Sequence, residues 1–422
     1  MNIAIIGGGG REHALARKIY YDKPKNAKLF CVPGNAGTSE FANNVELPIL
    51  NFKQLNIFFK KNKIKLIIIG PEEPLVKGIT DYFTKRNYLV FGPSKYAAKL
   101  EGSKAFVKKI CTEYNIPTAK YKICKNLQQV KKYINLFSYP IVVKASGIAA
   151  GKGVKICNKK KEVIKISQQI FKGKFKSSKV LILEEFLTGE EMSYFLLVDK
   201  KNSKFFGSAQ DHKRAFEKDK GPNTGGMGAY SPSILLNKKL EDKIKKRIIE
   251  PTLEALEKRK KPFKGFLYAG LMIKNSEPYL IEYNVRMGDP ECQVIIPKLK
   301  SNLYKLILST VRNKLKNQRI TWSKKKSLTV VLCSKGYPNN YEKHKIIKNL
   351  HRIKLRQTDF IYHAGTKVAG KKVFSCGGRV LNITSIAKNF LIANRNVYKI
   401  LRKINWKYGF YRKDIGWKAI TK

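Results

Sequence analysis

A chain of 422 residues with 43% apolar side chains has room for two to four domains and is too apolar for a disordered polymer. No apolar run approaches the ~20 residues that span a bilayer, and seven scattered cysteines without a C-x-x-C pair argue against a disulfide framework or zinc cage and for a reducing, cytoplasmic compartment. Lysine and arginine number 86 against 30 acids, a formal charge of +56, but the cations are dispersed lysines rather than the concentrated basic motif of a nucleic-acid reader.

Those lysines lie among Ile, Asn, Phe and Tyr, all with A/T-rich codons, so we hypothesise drift in an A/T-rich genome. Weak, salt-sensitive affinity for polyanions is expected from the charge alone. Binding that persisted at high salt and depended on base sequence would defeat this account.

The opening Met1-Asn2-Ile3-Ala4-Ile5-Ile6-Gly7 lacks a basic segment and reads as a first strand, not a signal peptide. Up to about residue 93, short apolar strands at 2–6, 29–32, 66–69 and 89–91 alternate with helices, the first at 11–20. That alternation predicts a parallel sheet covered on both faces. Gly7-Gly8-Gly9-Gly10-Arg11-Glu12 meets G-x-G-x-x-G only in part: Glu12 takes the third glycine position, and the second strand ends in Pro33-Gly34 where a dinucleotide site needs an acid. NAD is therefore not expected. Backbone N–H groups at a helix start, with Arg11 beside them, favour a phosphate over the alternative of a ligand-free turn. Two further loops, at 33–38 and 70–75, fall at the carboxyl edge where such sheets bind ligands.

From about residue 94 to 322 a helical stretch at 97–114 leads to a strand at 141–144 and a loop, 145–154, rich in small residues. Three glycines let that loop lie over a triphosphate with Lys152 facing it, although the Walker spacing is absent. Lys144 ends an apolar strand, where an unpaired ammonium is costly, so it asks for an anion. An extended segment at 180–187 ends in Glu184-Glu185-Phe186-Leu187 and can offer backbone groups to an adenine edge, with a nearby carboxylate for ribose hydroxyls. Strands at 267–273 and 279–284 form a hairpin through Asn275-Ser276-Glu277-Pro278. On its second strand Glu282, Asn284 and Arg286 share one face. A carboxylate beside an amide oxygen suits Mg²⁺, and Arg286 can neutralise a transferring phosphoryl group. The alternative, a solvated sheet face, gives no reason for an acid–amide–arginine triad. Beyond about residue 325, strands at 328–333, 360–363, 373–375 and 379–383 and a helix at 386–404 predict a small α+β domain.

In combination these motifs resemble ATP-grasp ligases, and closely the phosphoribosylamine–glycine ligase (glycinamide ribonucleotide synthetase) family. The resemblance runs from the first glycine cluster to Arg412-Lys413-Asp414-Ile415-Gly416-Trp417. It rests on Pro33-Gly34-Asn35-Ala36-Gly37-Thr38, Gly70-Pro71-Glu72-Glu73-Pro74-Leu75-Val76, Leu100-Glu101-Gly102-Ser103-Lys104-Ala105-Phe106, Gln210-Asp211-His212-Lys213-Arg214, the run from Gly221 to Pro232, His363-Ala364-Gly365-Thr366 and Gly377-Gly378-Arg379-Val380.

The resemblance implies an α/β and α+β multidomain fold. A Rossmann-like, parallel-sheet (pre-ATP-grasp) substrate domain would occupy 1–103, an ATP-grasp domain 104–322 with a mobile glycine-loop lid at about 120–190, and a C-terminal α+β domain 323–422. It also implies ATP-dependent ligation of glycine to 5-phosphoribosylamine through glycyl phosphate, giving glycinamide ribonucleotide, ADP and phosphate in purine biosynthesis. Mg²⁺, or Mn²⁺ in its place, would be held by Glu282 and Asn284. Arg286 and Lys144 would be catalytic. Lys104, Lys144, Lys152, Glu184, Glu185, Leu187 and Glu191 would bind ATP. The other substrates would meet Gly9, Gly10, Arg11 and Glu12, the loop residues Asn35, Gly37, Thr38, Glu72 and Pro74, and Asp211, Lys213, Arg214 and Asp289. For His212 and His363, packing or positioning is expected. The family usually carries Asp at Ser146 and Phe at Met287, a lost charge and a tolerable apolar exchange. The expected partners are small molecules, with no specific nucleic acid and no membrane, for a monomer acting unfused. A carboxylase of purine or biotin metabolism is the nearest rival, opposed by the first-domain and 211–214 signatures. A lysine-rich nucleic-acid binder is the other, and it has no use for a metal face.

Overall fold

The computed structural model describes residues 1–147, 153–173, 179–404 and 406–421. The first sheet runs in the order Asn43–Asn44, Leu29–Pro33, Asn2–Gly7, Ile64–Ile69, Leu89–Phe91, every pair parallel. Its apolar strands feed two cores, as the sequence predicts: Ala4, Ile6 and Ile67 pack into one, Ile3, Ile5 and Ile68 into the other. The edge strand Asn43–Asn44 is polar and exposed, so no apolar pattern announced it. At the start of helix Gly10–Asp22, the Glu12 carboxylate accepts from the Gly9 N–H at 2.7 Å.

The predicted helix at 97–114 is two helices, Lys99–Gly102 and Lys104–Glu113. Ser103 interrupts it with extended backbone and caps the second helix through Phe106 N–H at 3.3 Å. A four-stranded antiparallel sheet follows, ordered Tyr121–Cys124, Leu181–Glu185, Ile141–Ala145, Val154–Cys157. Ile141, Val143 and Ala145 face a small core beneath helices Leu127–Tyr133 and Lys160–Phe171. Strand alternation turns Val142 and Lys144 the other way, into the cleft.

The largest sheet joins the remaining regions. Its order is Glu277–Asn284, Lys264–Lys274, Glu190–Asp199, Ser203–Asp211, Gly228–Ser231, Lys326–Ser334, Arg379–Ala387, Asp359–His363, with antiparallel neighbours throughout. Gly228–Ser231 pairs directly with Lys326–Ser334, so the sheet passes without a break across the change of pattern near residue 325. Strand Arg379–Ala387 continues through the predicted helix start, and the helix is Phe390–Ile404. The predicted strand at 373–375 lies in a separate small sheet with Thr366–Ala369 and Ile346–Ile347. Among the described residues no helix is long and apolar enough to cross a membrane.

Candidate active site

Register assembles the floor of the site. Glu282 pairs with Gly270, Gly270 with Ser193, and Ser193 with Ala209. Asn284 pairs with Tyr268, and Tyr268 with Phe195. Paired residues in an antiparallel sheet project to the same side, as do residues two apart, so Glu191, Ser193, Asp211, Tyr268, Glu282 and Asn284 share one face. Tyr283 points the opposite way, its hydroxyl 2.7 Å from Thr252 Oγ1 in the core. This floor lies beneath a cleft of about 1690 Å³, closed on other sides by the four-stranded antiparallel sheet and the first glycine loop.

On the four-stranded sheet, Glu184 stands between two buried lysines, 2.7 Å from Lys144 Nζ and 3.3 Å from Lys108 Nζ. Burial raises the Glu184 carboxyl, but Lys144 and Lys108 outweigh it and hold the group below the usual carboxylate range. A folded pKa lying below the unfolded one contributes stability that is complete above the unfolded value and lost as pH falls through the folded one. Glu184→Gln should therefore lower the Tm at neutral pH, and the gap from the parent should narrow on acidification below about pH 4. Thermal melts across that range check it; a gap that widened would refute the pairing.

Lys104 reaches the same end of the cleft, its Nζ 3.4 Å from the Gly147 carbonyl, while Ser146 Oγ accepts from Ala105 N–H at 3.1 Å. Ser146 thus ties the glycine-loop stem to the helix start with a neutral hydroxyl. Lys152 lies outside the described residues.

Arg286 carries two acids that the floor strand alone does not supply. Its Nη2 is 2.7 Å from Glu101, and its Nε 3.3 Å from Glu72. Glu101 also accepts from Val285 N–H at 2.8 Å. Burial pushes the Glu101 carboxyl up despite Arg286, whereas Arg286 chiefly holds Glu72 down. Glu282 is different. Burial raises its carboxyl, yet Lys213, Lys104, Lys144 and Arg286 together keep it below the usual range. Among the described residues none of these cations lies within ion-pair distance of it.

Lys213 pairs with Glu191 at 2.5 Å. Beyond it, Asp289 takes Gln293 Nε2 at 2.7 Å and Arg379 Nη2 at 3.5 Å, and Asp219 takes Arg412 at 2.9 Å. Arg11 is buried against Glu12 and donates to the Met287 carbonyl at 3.2 Å.

The structure therefore gathers Gly9, Arg11, Glu12, Glu72, Lys104 and Lys144 in one cleft with Glu184, Glu185, Leu187 and Glu191, and with Asp211, Lys213, Arg214, Glu282, Asn284, Arg286 and Asp289. Gly10, Asn35, Gly37, Thr38 and Pro74 stand behind its wall. The Asn35 amide is spent on the Gly8 and His363 carbonyls and on the Gly37 and Thr38 N–H groups, all within 3.1 Å. Gly37 abuts the His13 ring, Gly10 abuts Asn382 and Gln293, and Pro74 is buried in helix Glu72–Lys77. His363 donates its N–H to His13 Nδ1 at 2.9 Å, and His212 Nε2 accepts from Gly416 N–H at 3.2 Å; burial lowers both rings to about 4, so they pack as neutral imidazoles. Sequence reasoning missed Lys108, Glu101, Glu291 and Arg379. Glu101 and Arg379 sat inside recognised motifs, whereas Glu291 and Lys108 did not, although Lys108 lies four residues after Lys104.

Three family profiles match in order: the phosphoribosylglycinamide synthetase N domain over residues 1–101, its ATP-grasp (A) domain over 102–292 and its C domain over 327–418. A phosphoribosylamine–glycine ligase of Mesorhizobium japonicum is 44% identical over 423 residues, spanning 100% of this chain and 99% of its own length. The chloroplastic one of Arabidopsis thaliana is 44% identical over 419 residues, spanning 97% of this chain and 79% of its own. The crystal structure of a phosphoribosylamine–glycine ligase from Thermotoga maritima superposes with a TM-score of 0.86 at 32% identity, covering 98% of this chain and 100% of that one. A biotin carboxylase from Campylobacter jejuni, TM-score 0.74 at 16% identity over 95% of this chain and 90% of that one, shares the fold.

Proposed function

The chain belongs to the phosphoribosylglycinamide synthetase family, ATP-grasp carbon–nitrogen ligases that join glycine to phosphoribosylamine in purine biosynthesis, and from that premise we propose how its residues do so. Glycine's carboxylate attacks the γ-phosphorus of ATP, giving glycyl phosphate and ADP. The amine of 5-phosphoribosylamine then attacks the acyl carbon; the C–N bond forms, the C–O bond to phosphate breaks, and phosphate leaves. Neither step needs a nucleophilic side chain. Both need charge neutralised and reactants aligned.

Lys144 and Lys104 hold the phosphates of ATP, the first exchanging part of its pairing with Glu184 for phosphate oxygens. Val107, Val142, Ile156 and Leu280 supply apolar walls for adenine beside the backbone of Glu185 and Leu187, all lining the cleft. Glu191 lies within reach of the ribose hydroxyls. Arg286, held by Glu72 and Glu101, meets the transferring phosphoryl group. The residues fit a hard divalent cation: Glu282 and Asn284 present two oxygen donors on one face, and among the described residues no cation is bonded to the carboxylate. Mg²⁺ or Mn²⁺ bound there would neutralise phosphate charge during transfer. Arg11, Lys213 and Arg214 supply cations for the phosphate of phosphoribosylamine. All seven cysteines are free thiols, six of them buried, which suits the reducing cytoplasm we assign.

The observation that carries this reading is Glu282 on an open sheet face, ringed by four cations and bonded to none of them among the described residues. The test is ADP release by the purified chain with ATP and Mg²⁺, adding glycine and freshly made phosphoribosylamine separately and together. Turnover that requires both is the expected result. Binding of ATP without such turnover would point to a different ATP-grasp substrate.

A further inference from the structure

Arg412 is 1% exposed, and a guanidinium sealed from water needs partners for its donors. It finds them in two regions far apart in the chain. Its Nε and Nη2 each donate to Asp414 at 2.8 Å, a two-pronged pair, while Nη1 donates to Asp219 at 2.9 Å and to the Arg214 carbonyl at 3.0 Å, 198 residues away. Neighbouring residues repeat the contact. Lys218 N–H donates to Asp414 Oδ2 at 2.8 Å, Gly416 N–H donates to His212, and Lys418 Nζ stands 3.2 Å from Asp219. The segment is in turn fixed to helix Phe390–Ile404. The Tyr398 hydroxyl donates to the Arg412 carbonyl at 2.7 Å, the Asn394 amide donates to the Ile415 carbonyl at 2.9 Å, and Ile415 is buried in the core beneath.

What this segment grips is a hairpin that needs holding. Strands Arg214–Phe216 and Lys220–Asn223 form a sheet of two, which is marginal by itself in water. All four residues of the second strand are exposed, so packing does not fix it. At the tip Lys218 and Asp219 have φ of 57° and 53°, a left-handed backbone that residues with side chains disfavour. Those two residues are the ones that Asp414 and Arg412 take hold of, so the clasp acts where the backbone is least favoured. Yet the hairpin borders the cleft through Arg214, Asp219 and Asn223. Arg214 Nη1 also donates to the Gly221 carbonyl on the opposite strand at 2.8 Å. The place of the Arg214 guanidinium therefore depends on the hairpin keeping its shape.

We propose that Arg412, with Asp414, is a positioning residue for the ligation: it clasps the hairpin Arg214–Asn223 and so holds Arg214 where phosphoribosylamine docks, touching no substrate itself. This rests on the ligase reading above and adds to it a residue outside the cleft. The shape of the side chain matters as much as its charge. One planar fork spans two carboxylates and a carbonyl, which the compact ammonium of a lysine does not reproduce. Lys104 and Lys144, which face ATP, stand on other elements, so loss of the clasp should be felt by one substrate and not by all three.

The experiment is steady-state kinetics of the full chain and its Arg412→Lys and Asp414→Asn variants, each substrate varied in turn, with thermal melts alongside. Asp414→Asn leaves Arg412 paired with Asp219 and is the milder lesion, so the test stands even where Arg412→Lys fails to fold. The expected result is a kcat/KM for phosphoribosylamine lower by about 10- to 100-fold, the range for a slight misplacement caused far from the chemistry. The loss should be carried by KM, with the KM for ATP and for glycine unchanged. A merely structural lesion would reduce the folded fraction, lowering kcat and leaving every KM alone. A parental KM for phosphoribosylamine, or KM values that rise alike for all three substrates, overturns the proposal. A parent chain whose ADP release does not require both glycine and phosphoribosylamine would defeat the ligase reading itself; normal parent turnover with unaltered variants defeats only the clasp.

Discussion

Glu282→Ala should lower kcat by about 10³-fold or more while the chain stays folded, because it deletes a metal donor and the negative charge at the centre of the cleft. Folding is expected to survive because the Glu282 side chain makes no hydrogen bond or ion pair among the described residues, and its strand is held by the register with Lys264–Lys274 and by Tyr283 in the core. The loss should show as a raised requirement for Mg²⁺, since Asn284 alone offers one neutral oxygen. Activity titrated against Mg²⁺, with circular dichroism as the fold control, decides the matter. A variant with full activity at ordinary Mg²⁺ would remove the metal assignment.

Arg286→Met is expected to damage both activity and stability, and the two losses should separate with pH. The catalytic part, about 10³-fold in kcat, follows from removing the cation that meets the transferring phosphoryl group. The stability part follows from what remains. Glu101 and Glu72 keep their positions at the end of the cleft without the guanidinium that compensated them, and breaking such a pair costs about 3–5 kcal/mol when buried, less here because the groups are partly solvated. Without Arg286 both carboxyls should titrate higher than in the parent. A raised carboxyl destabilises above its pKa, so the penalty should shrink as pH falls and the acids protonate. Adding Glu101→Gln should restore much of the stability and none of the turnover. If Tm in the single variant matched the parent, the Arg286–Glu101–Glu72 cluster would carry no structural weight.

What could be read from the sequence follows the reach of each signal. The strand at 2–6 was legible because Ile3, Ala4, Ile5 and Ile6 are all buried, leaving an apolar run with glycine directly after it. Lys144 was legible because a charge in an apolar strand is an exception that needs a cause, and Glu282, Asn284 and Arg286 because alternation is a property of the strand itself. Lys108 and Glu101 were not, because their partners Glu184 and Arg286 lie 76 and 185 residues away and no local pattern encodes those meetings. The loop at 33–38 shows the opposite failure. Glycine, asparagine and threonine look the same in a loop shaped for a ligand and in one that satisfies its own backbone, and Asn35 and Thr38 do the latter. The break at Ser103 was visible as a capping residue after Gly102, but the apolar periodicity on both sides masked it.

The pairing of Gly228–Ser231 with Lys326–Ser334 has a consequence for any attempt to divide the chain. A cut near residue 325 would fall in a connection, yet it would leave two raw strand edges, each a template for the other and for foreign strands. The two pieces made separately should aggregate, whereas made together they should zip along that seam and regain activity. The joint suggested by the change of pattern near residue 325 is thus a continuous seam of the sheet.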